Sequence, residues 1–239
     1  MIEIELGLAN PGFEEGWREV DGVYELKVAN SWYPWWHETD VRPEYKIATT
    51  EVDDTRVYEG QAAQQWFTTY ASHTGGIYQQ VMDVPVGKEI IFEAYVQTFA
   101  RDDDLDWHES NGRYRMRIGI DPYGGTDGES DDIVWTEAVQ PYDEWSLLRI
   151  ETLSRSDRCT LFVWGQAEWR VKHNNAYVDG CRCFYLDDEP EPPPPPPPPE
   201  KEPATAEDLK RLAHAFWEYA KAIEQAGYEL SDRLSEWIE

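Results

Sequence analysis

The densest aromatic group in the chain is the segment SWYPWW, in which Trp32, Trp35 and Trp36 surround a proline. Proline favours a bent loop, so these rings are expected at the edge of the fold. Indole rings pack against the flat C–H faces of sugars, while carboxylates accept hydrogen bonds from sugar hydroxyls. Glu44 and Tyr45 follow closely. The spacing therefore predicts a surface suited to sugars, with capping of the hydrophobic core by one or two of the tryptophans as the alternative.

Four further residues are candidate ligand contacts. Trp66, Gln79 and Gln80 fall in apparent strands, where side chains alternate between two faces, so each is expected either to line a concave face or to be buried. Trp107 lies near the tip of the acidic segment RDDDLDWHE and could touch a ligand. That segment (101–109) and a second one (121–132) lack EF-hand spacing; they are interpreted as solvated loops, with a second calcium site as the alternative.

Catalytic signatures are absent from the sequence. The chain has no GxSxG elbow, HExxH motif or phosphate-binding loop. Glycosidases need two suitably spaced carboxylates, but 48 acidic residues supply such a pair by chance. We therefore expect no enzyme activity.

The formal net charge is -27, from 48 acidic and 21 basic residues. This charge should repel nucleic acids and anionic membrane surfaces. No stretch is apolar over the length of a bilayer, so no membrane insertion is expected. The first residues show no secretory signal, although sugar-binding proteins usually work outside cells. We expect an extracellular or virion-surface location after synthesis in the cytoplasm, reached by a route such as release of particles on host lysis.

Three cysteines, Cys159, Cys181 and Cys183, cannot all pair in one chain. Cys181 and Cys183 lie two apart in an apparent strand, so their side chains should share a face. Small buried thiols are the favoured interpretation. A zinc site would need ligands beyond His173, which gives it poor support.

Residues 1–187 contain many short runs rich in β-branched and aromatic residues, separated by Gly, Pro, Asn and Asp. Because no amphipathic helices intervene, these runs predict two packed antiparallel sheets. Residues 188–204 form a proline-rich linker in which eight prolines follow one another. Such a run favours polyproline II, a semi-rigid spacer of about 25 Å.

Residues 205–239 predict an amphipathic helix over about 206–237. Thr205 is a plausible N-cap, with Asp208 completing a capping box. Apolar residues then recur at heptad spacing: Leu209, Leu212, Phe216, Tyr219, Ile223, Ala226 and Leu230. Gly227 lowers helix stability, so a break there, leaving a helical hairpin or two shorter helices, is the alternative. The apolar stripe must be buried, so we expect self-association, with a different protein partner or the chain's own sandwich as alternatives. Several copies would combine weak sites by avidity.

The chain resembles the carbohydrate-binding-module-like, or galactose-binding-like, jelly-roll sandwiches. The resemblance begins with NPGFEEGW (10–17) and ends with HNNAYVDGCRCFYLD (173–187). Between them SWYPWW, RPEYK, GQAAQQWFTTYASHTGGIYQQV, GIDPYGGTD and IVWTEAV occur in the order found in uncharacterised members. The resemblance covers residues 1–187 and implies an all-β jelly-roll fold. It says less about the ligand, because this fold carries many functions.

The resemblance also implies a structural calcium ion near the joined termini. Carried over by position, its acidic ligands would be Glu14 and Asp179, together with backbone carbonyl oxygens. The usual second acid after the closing aspartate is replaced here by Gly180. The expectation of calcium is correspondingly weaker.

Together these features favour a noncatalytic glycan-binding or adhesion protein: a jelly-roll head, a proline-rich stalk and an associating helix. Its expected partner is a glycan or cell-surface polysaccharide, and its expected place a virus particle, as a phage decoration or host-attachment component. One alternative is a structural capsid, tail or filament component whose sandwich makes protein contacts. Another is an adaptor that targets a partner enzyme to a polysaccharide.

Overall fold

The computed structural model describes residues 1–188 and 205–225. These belong to two units, one within residues 1–189 and one within residues 190–239. The first unit holds the strands, and the second holds α1 (Ala206–Gln225). In the part of the chain that is described, no helix combines the length and apolar character needed to cross a membrane.

The strands of the first unit follow one another with connections that are mostly turns and loops. They are β1 (Ile2–Glu5), β2 (Trp17–Glu19), β3 (Lys27–Ala29), β4 (Tyr33–Trp36), β5 (Glu44–Thr49), β6 (Ala62–Thr68), β7 (His73–Met82), β8 (Glu89–Arg101), β9 (Tyr114–Asp121), β10 (Val134–Trp135), β11 (Ser146–Leu153), β12 (Arg158–Ala167) and β13 (His173–Asp187).

Two antiparallel sheets make up the fold. Sheet I has the order β11-β8-β13-β6-β5, with β1 also paired to β13, and sheet II has the order β10-β9-β12-β7-β4. Strands β2 and β3 form a separate two-stranded ribbon. The first strand therefore pairs with the last, which brings the two ends of the sandwich together.

The hydrophobic core lies between the two sheets. Successive side chains of a strand point to opposite faces, so alternate residues of the central strands enter this layer. The buried set includes Phe92, Ala94, Val96, Ala176 and Val178 from sheet I, and Ile77, Ile118, Ile120, Leu161 and Val163 from sheet II. The all-β sandwich expected from the sequence is confirmed, while the proline-rich linker lies outside the described residues.

The three cysteines are buried and unpaired. Cys181 and Cys183 both belong to the core cluster, as their spacing predicted. Between Asp179 and Arg182 the register shifts in a bulge, where Gly180 adopts a φ of 54°. A left-handed backbone of this kind favours glycine, which gives Gly180 a structural role in the last strand.

His73, the first residue of β7, is a buried histidine held between two hydroxyls. Its Nδ1 lies 2.8 Å from Oγ1 of Thr68, and its Nε2 lies 2.7 Å from the hydroxyl of Tyr114. Burial lowers the pKa of His73 from 6.5 to about 3. The imidazole is therefore neutral in the folded protein at physiological pH.

We expect His73 to make the protein less stable in acid. Between about pH 3 and pH 6.5 the unfolded chain binds a proton at this position that the folded chain excludes. Its contribution to stability is complete above pH 6.5 and falls by about 1.4 kcal/mol per pH unit within that window. Urea denaturation between pH 4 and pH 7 should show a shallower pH dependence for His73→Gln; equal slopes would contradict the prediction.

Helix α1 begins with the predicted capping box. The amide of Asp208 donates to Oγ1 of Thr205 at 3.2 Å, and the amide of Thr205 donates to Oδ2 of Asp208 at 3.0 Å. The apolar residues Leu209, Leu212 and Phe216 are exposed on the helix. The predicted extension of this helix beyond residue 225 lies outside the described residues, and so does the possible break at residue 227.

Candidate functional site

An amide-x-aromatic pattern occurs on three neighbouring strands of sheet I. In register, Asn175 on β13 lies between Phe67 on β6 and Phe99 on β8, and Tyr177 on β13 lies between Gln65 on β6 and Gln97 on β8. These residues alternate with core residues, so they occupy the outer face of sheet I. The register thus places amides and aromatic rings side by side on one surface.

The amides on this surface are held by hydrogen bonds. Nε2 of Gln65 donates to Oδ1 of Asn175 at 2.7 Å and lies 3.4 Å from the hydroxyl of Tyr177. Nδ2 of Asn175 donates to the carbonyl of Phe99 at 3.5 Å. Gln65 and Asn175 are both buried. Their orientation is therefore set before any ligand arrives.

One wall of the site is the segment between β5 and β6. Its short 3-10 turn (Asp54–Arg56) carries the buried guanidinium of Arg56 onto the outer face of sheet I. Nη1 of Arg56 donates to Oε1 of Gln97 at 2.9 Å, and its Cζ lies 5.0 Å from the ring centroid of Phe99. Arg56 thus fastens this segment to β8.

A second segment at the site is the acidic loop between β8 and β9, which carries Trp107. The indole ring lies 4.7 Å from the ring of His173 and 5.8 Å from that of Phe99. Asp104 on the same loop pairs with Lys172 and, at 2.7 Å, with Nε2 of His173. Lys172 and then His173 lower the pKa of Asp104, so the carboxylate keeps its charge in these pairs. The segment is a largely exposed loop, as expected from the sequence, and its contacts place Trp107 beside His173 and Phe99.

Both segments border a cavity of about 520 Å³, here called the sheet I cleft, and they meet where Arg56 donates to the carbonyl of Trp107. Gln65, Asn175 and Tyr177 contribute to its lining, and Trp107 contributes an indole that is 52% exposed. Lys46 also lines it, with Nζ 4.7 Å from the ring centroid of Phe67. Burial lowers the pKa of Lys46. The cleft therefore combines an aromatic surface with fixed amides, the chemistry that orients hydroxyl-rich ligands.

Of the residues predicted to bind ligand, Trp107 lies in this cleft. Trp32, Tyr45 and Trp66 are buried in the core, so the prediction that they contact a ligand is corrected. Nε1 of Trp32 donates to the carbonyl of Asn10, and the hydroxyl of Tyr45 donates to the carbonyls of Trp35 and Gly76. Core capping, the alternative for the tryptophans, is the correct description of Trp32.

The segment SWYPWW is divided between faces of the fold. Trp35 packs with Phe162 on the outer face of sheet II, where Gly128 of the second acidic loop lies directly against its indole ring. Trp36 is half-buried against the core. Glu44 is exposed on β5 and does not line the sheet I cleft. The predicted tryptophan surface is therefore not formed.

Gln79 and Gln80 lie at a different cavity, on sheet II. The side chain of Gln79 forms two hydrogen bonds with the backbone of Ala9, at 2.7 and 2.8 Å. Nε2 of Gln80 donates to the carbonyl of Gly124 at 2.6 Å. Neither glutamine shares a surface with Trp107.

Of the residues that build the sheet I cleft, Trp107 was predicted from the sequence and none of the others was. A signal was present: QWF, QTF and NAY each place an amide two residues before an aromatic residue, and each lies in a strand. Three strands with the same alternation can share one face only if they are neighbours in one sheet. The sequence does not state that pairing.

Glu14 and Asp179, the expected calcium ligands, both hold the turn that precedes β6. Oε1 of Glu14 accepts hydrogen bonds from the amides of Gln61 and Ala62, at 2.7 and 2.9 Å. Oδ2 of Asp179 accepts from the amides of Tyr58 and Glu59, at 2.9 and 3.1 Å. Burial raises the pKa of Asp179 to about 7.

This arrangement does not favour a calcium ion, because N–H donors already occupy Oε1 of Glu14 and both carboxylate oxygens of Asp179. Within residues 1–188 and 205–225, no three His, Cys, Asp or Glu side chains group as metal ligands. Calcium stays a prediction from the resemblance. A higher thermal midpoint in calcium than in EDTA would support it.

No family model matches the chain, and no curated protein matches it. Among solved structures, a Stig cyclase from Fischerella sp. TAU is 9% identical with a TM-score of 0.52, covering 79% of this chain and 100% of its own. TmCBM61 in complex with β-1,4-galactotriose is 14% identical with a TM-score of 0.48, and the match covers 77% of this chain and 100% of TmCBM61. The CBM22-1 xylan-binding domain of Paenibacillus barcinonensis Xyn10C is 13% identical with a TM-score of 0.44, and the match covers 74% of this chain and 93% of that domain.

These similarities concern the fold. The solved structures include two carbohydrate-binding modules and a cyclase. A fold does not by itself define a function, so the function of this chain has to be argued from its own site.

Proposed function

We propose that this chain is a noncatalytic glycan-binding protein and that the sheet I cleft holds the sugar. The observation that carries the proposal is the meeting of Gln65, Asn175 and Tyr177 with the exposed indole of Trp107 in one cavity. Aromatic rings pack against sugar C–H groups, and amides exchange hydrogen bonds with sugar hydroxyls. The fixed amides avoid much of the ordering cost of binding.

The acid content of the cleft lining favours binding over hydrolysis. Among the described residues that line it, Asp53 is the single acid. Oδ1 of Asp53 accepts hydrogen bonds from the amide and hydroxyl of Thr55, and Oδ2 lies 3.6 Å from Nε of Arg56. Glycoside hydrolysis requires two carboxyl groups flanking the bond to be cleaved. The lining supplies one carboxyl group, and it is already engaged.

The test is a glycan array probed with the full chain in multimerised form, so that weak sites register. Binding to a defined group of glycans, weakened by Trp107→Ala, would support the proposal. The absence of binding by the folded protein would overturn it. Binding that survives Trp107→Ala would place the sugar outside the sheet I cleft.

We further propose that the protein acts outside the cell or on a virus particle, as a decoration or host-attachment component. This follows from the proposed ligand, because cell-surface polysaccharides are met outside the cytoplasm. Detection of the chain in purified particles or in the culture medium would support the placement. Detection in the cytoplasm alone would contradict it.

We expect helix α1 to drive self-association through its exposed apolar residues. Leu209, Leu212 and Phe216 follow heptad spacing, and burying such a stripe between copies removes it from water. Sedimentation equilibrium should show oligomers for the full chain and monomers for Leu212→Glu with Phe216→Glu. Glu218→Ala is the control and should leave the oligomers intact, because Glu218 lies on the side of the helix opposite Leu209, about 180° around the axis. A wild-type chain that stays monomeric at high concentration would point to a different protein partner.

A further inference from the structure

The cavity beside Gln79 and Gln80 is a second feature with the properties of a binding site. It arises at the edge of sheet II, because β4 pairs with β7 only from Tyr33 opposite Tyr78 to Trp36 opposite Gly75. Strand β7 continues to Met82 without β4 beside it. The resulting cavity measures about 600 Å³, within the range of small-molecule sites. It is here called the sheet II cavity.

Its walls are held in place by contacts within the protein. The rings of Tyr33 and Tyr78 stack with centroids 5.5 Å apart, and the guanidinium of Arg18 lies 4.8 Å from the centroid of Tyr33. Gln79 is bonded to the backbone of Ala9 through both ends of its amide. These side chains need little rearrangement to meet a ligand.

Two lining residues adopt a backbone conformation that is unusual outside glycine. Ser31 has a φ of 73° and Asp83 has a φ of 59°. Such residues cost free energy and occur preferentially at ligand sites. The hydrogen bond from Gln80 to Gly124 uses Nε2, so Oε1 of Gln80 is not engaged by that bond. Gln80 thus offers a positioned oxygen acceptor at the cavity.

The chemistry of the lining defines the class of ligand. Apart from Asp83, the described residues that line the cavity are uncharged: tyrosines, glutamines, a serine, a threonine, a methionine and small residues. The lining holds one acid, Asp83, and the guanidinium of Arg18 lies against the lining residue Tyr33, so the charges at the cavity select neither an anion nor a cation. Hydroxyl and amide groups beside tyrosine rings suit a neutral ligand rich in hydroxyls.

We propose that the sheet II cavity is a second binding site for a neutral sugar, separate from the sheet I cleft. The two cavities share none of their described lining residues, and they belong to different sheets of the sandwich. A chain with two such sites could hold two points of one polysaccharide, or two polysaccharides at once. The second site stands on its own geometry, so it does not require the first to be correct.

The test is an NMR titration of the full chain with labelled tyrosine and tryptophan rings. The probes are glucose, galactose, mannose, xylose and N-acetylglucosamine, each taken to high millimolar concentration. We expect the Tyr33 and Tyr78 signals to shift saturably with at least one sugar. The apparent dissociation constant should rise at least about tenfold in Tyr33→Ala and in Gln80→Leu, and it should be unchanged in Trp107→Ala.

Tyr24→Ala is the matched control, because Tyr24 is exposed and has Nζ of Lys27 5.2 Å from its ring but does not line the cavity. This variant should bind as wild type does. The proposal is overturned if no sugar shifts Tyr33 and Tyr78, or if their shift disappears in Trp107→Ala. The Trp107 signal reports the sheet I cleft separately, so failure of one site is distinguished from failure of the other.

Discussion

The Trp107→Ala variant is expected to bind glycans about 10- to 100-fold more weakly than the wild-type chain, a loss of about 1.4 to 2.8 kcal/mol. The indole is the most exposed ring of the sheet I cleft, at 52%, and it lies beside the amides that would hold sugar hydroxyls. Aromatic anchors of this kind commonly carry a large share of binding energy. Isothermal titration calorimetry with the best ligand from the array measures the change.

The fold should survive this substitution, because backbone and charged groups hold the loop as well as the indole. Arg56 donates to the carbonyl of residue 107, and the amide of Ser110 donates to Asp143 at 2.8 Å. Trp169→Ala is the matched control: Trp169 is 47% exposed and does not line the cleft. Equal losses in the two variants would show that the sheet I cleft is not the binding site.

The Arg56→Ala variant is expected to lose about 3 to 5 kcal/mol of unfolding free energy, the usual cost of removing one partner from a buried charged pair. Arg56 is 4% exposed and lies 3.5 Å from Oδ1 of Asp143. Its removal leaves Gln97 and Asp143 without this donor and releases the backbone of Trp107. Urea denaturation, followed by tryptophan fluorescence, measures the loss.

Arg182→Ala separates this effect from a general loss of charge. Arg182 lies within 4 Å of Glu3, Glu5 and Glu93, but its side chain is 44% exposed. Exposed ion pairs contribute about 0 to 1 kcal/mol, so this variant should be close to wild type. Arg56→Lys should fall between the two, because an ammonium cannot reproduce the fork of the guanidinium. A loss below about 1 kcal/mol for Arg56→Ala would contradict the role assigned to it.

Trp107→Ala also separates the functional hypotheses. A glycan-binding protein loses sugar affinity in Trp107→Ala while its assembly through α1 is unchanged. If the protein is instead a structural component whose sandwich contacts other proteins, the wild-type chain should not bind sugar. The defect of Trp107→Ala should then appear in assembly. Calorimetry measures the sugar affinity and sedimentation measures the oligomeric state, and both can be done on one preparation of the variant.

Much of the architecture could be predicted from local patterns. The β-rich runs of residues 1–187 form the two sheets, and Thr205 with Asp208 caps α1 as its spacing indicated. These features depend on residues close in sequence, through alternation, turn residues and capping chemistry. Such signals are visible without knowledge of strand pairing.

The candidate site was harder to predict, and β6 shows why. In its sequence AAQQWFT, a glutamine and an aromatic residue occur on both faces: Gln64 with Trp66, and Gln65 with Phe67. Gln64 and Trp66 are buried on the core side, while Gln65 and Phe67 line the sheet I cleft. The two faces of this strand have nearly the same residue composition. The sequence pattern alone therefore cannot show which face points into the core.

The sequence by itself determined the kind of element, the all-β class, the acidic surface and the chemistry available for binding a sugar. Only the tertiary structure decided which of those residues meet. Strands β6, β8 and β13 are neighbours in sheet I although they are far apart in the chain, and their pairing places Gln65, Asn175 and Phe99 in one cleft. The same packing buries Trp32 and Trp66, because large rings gain most from removal from water where the two sheets meet.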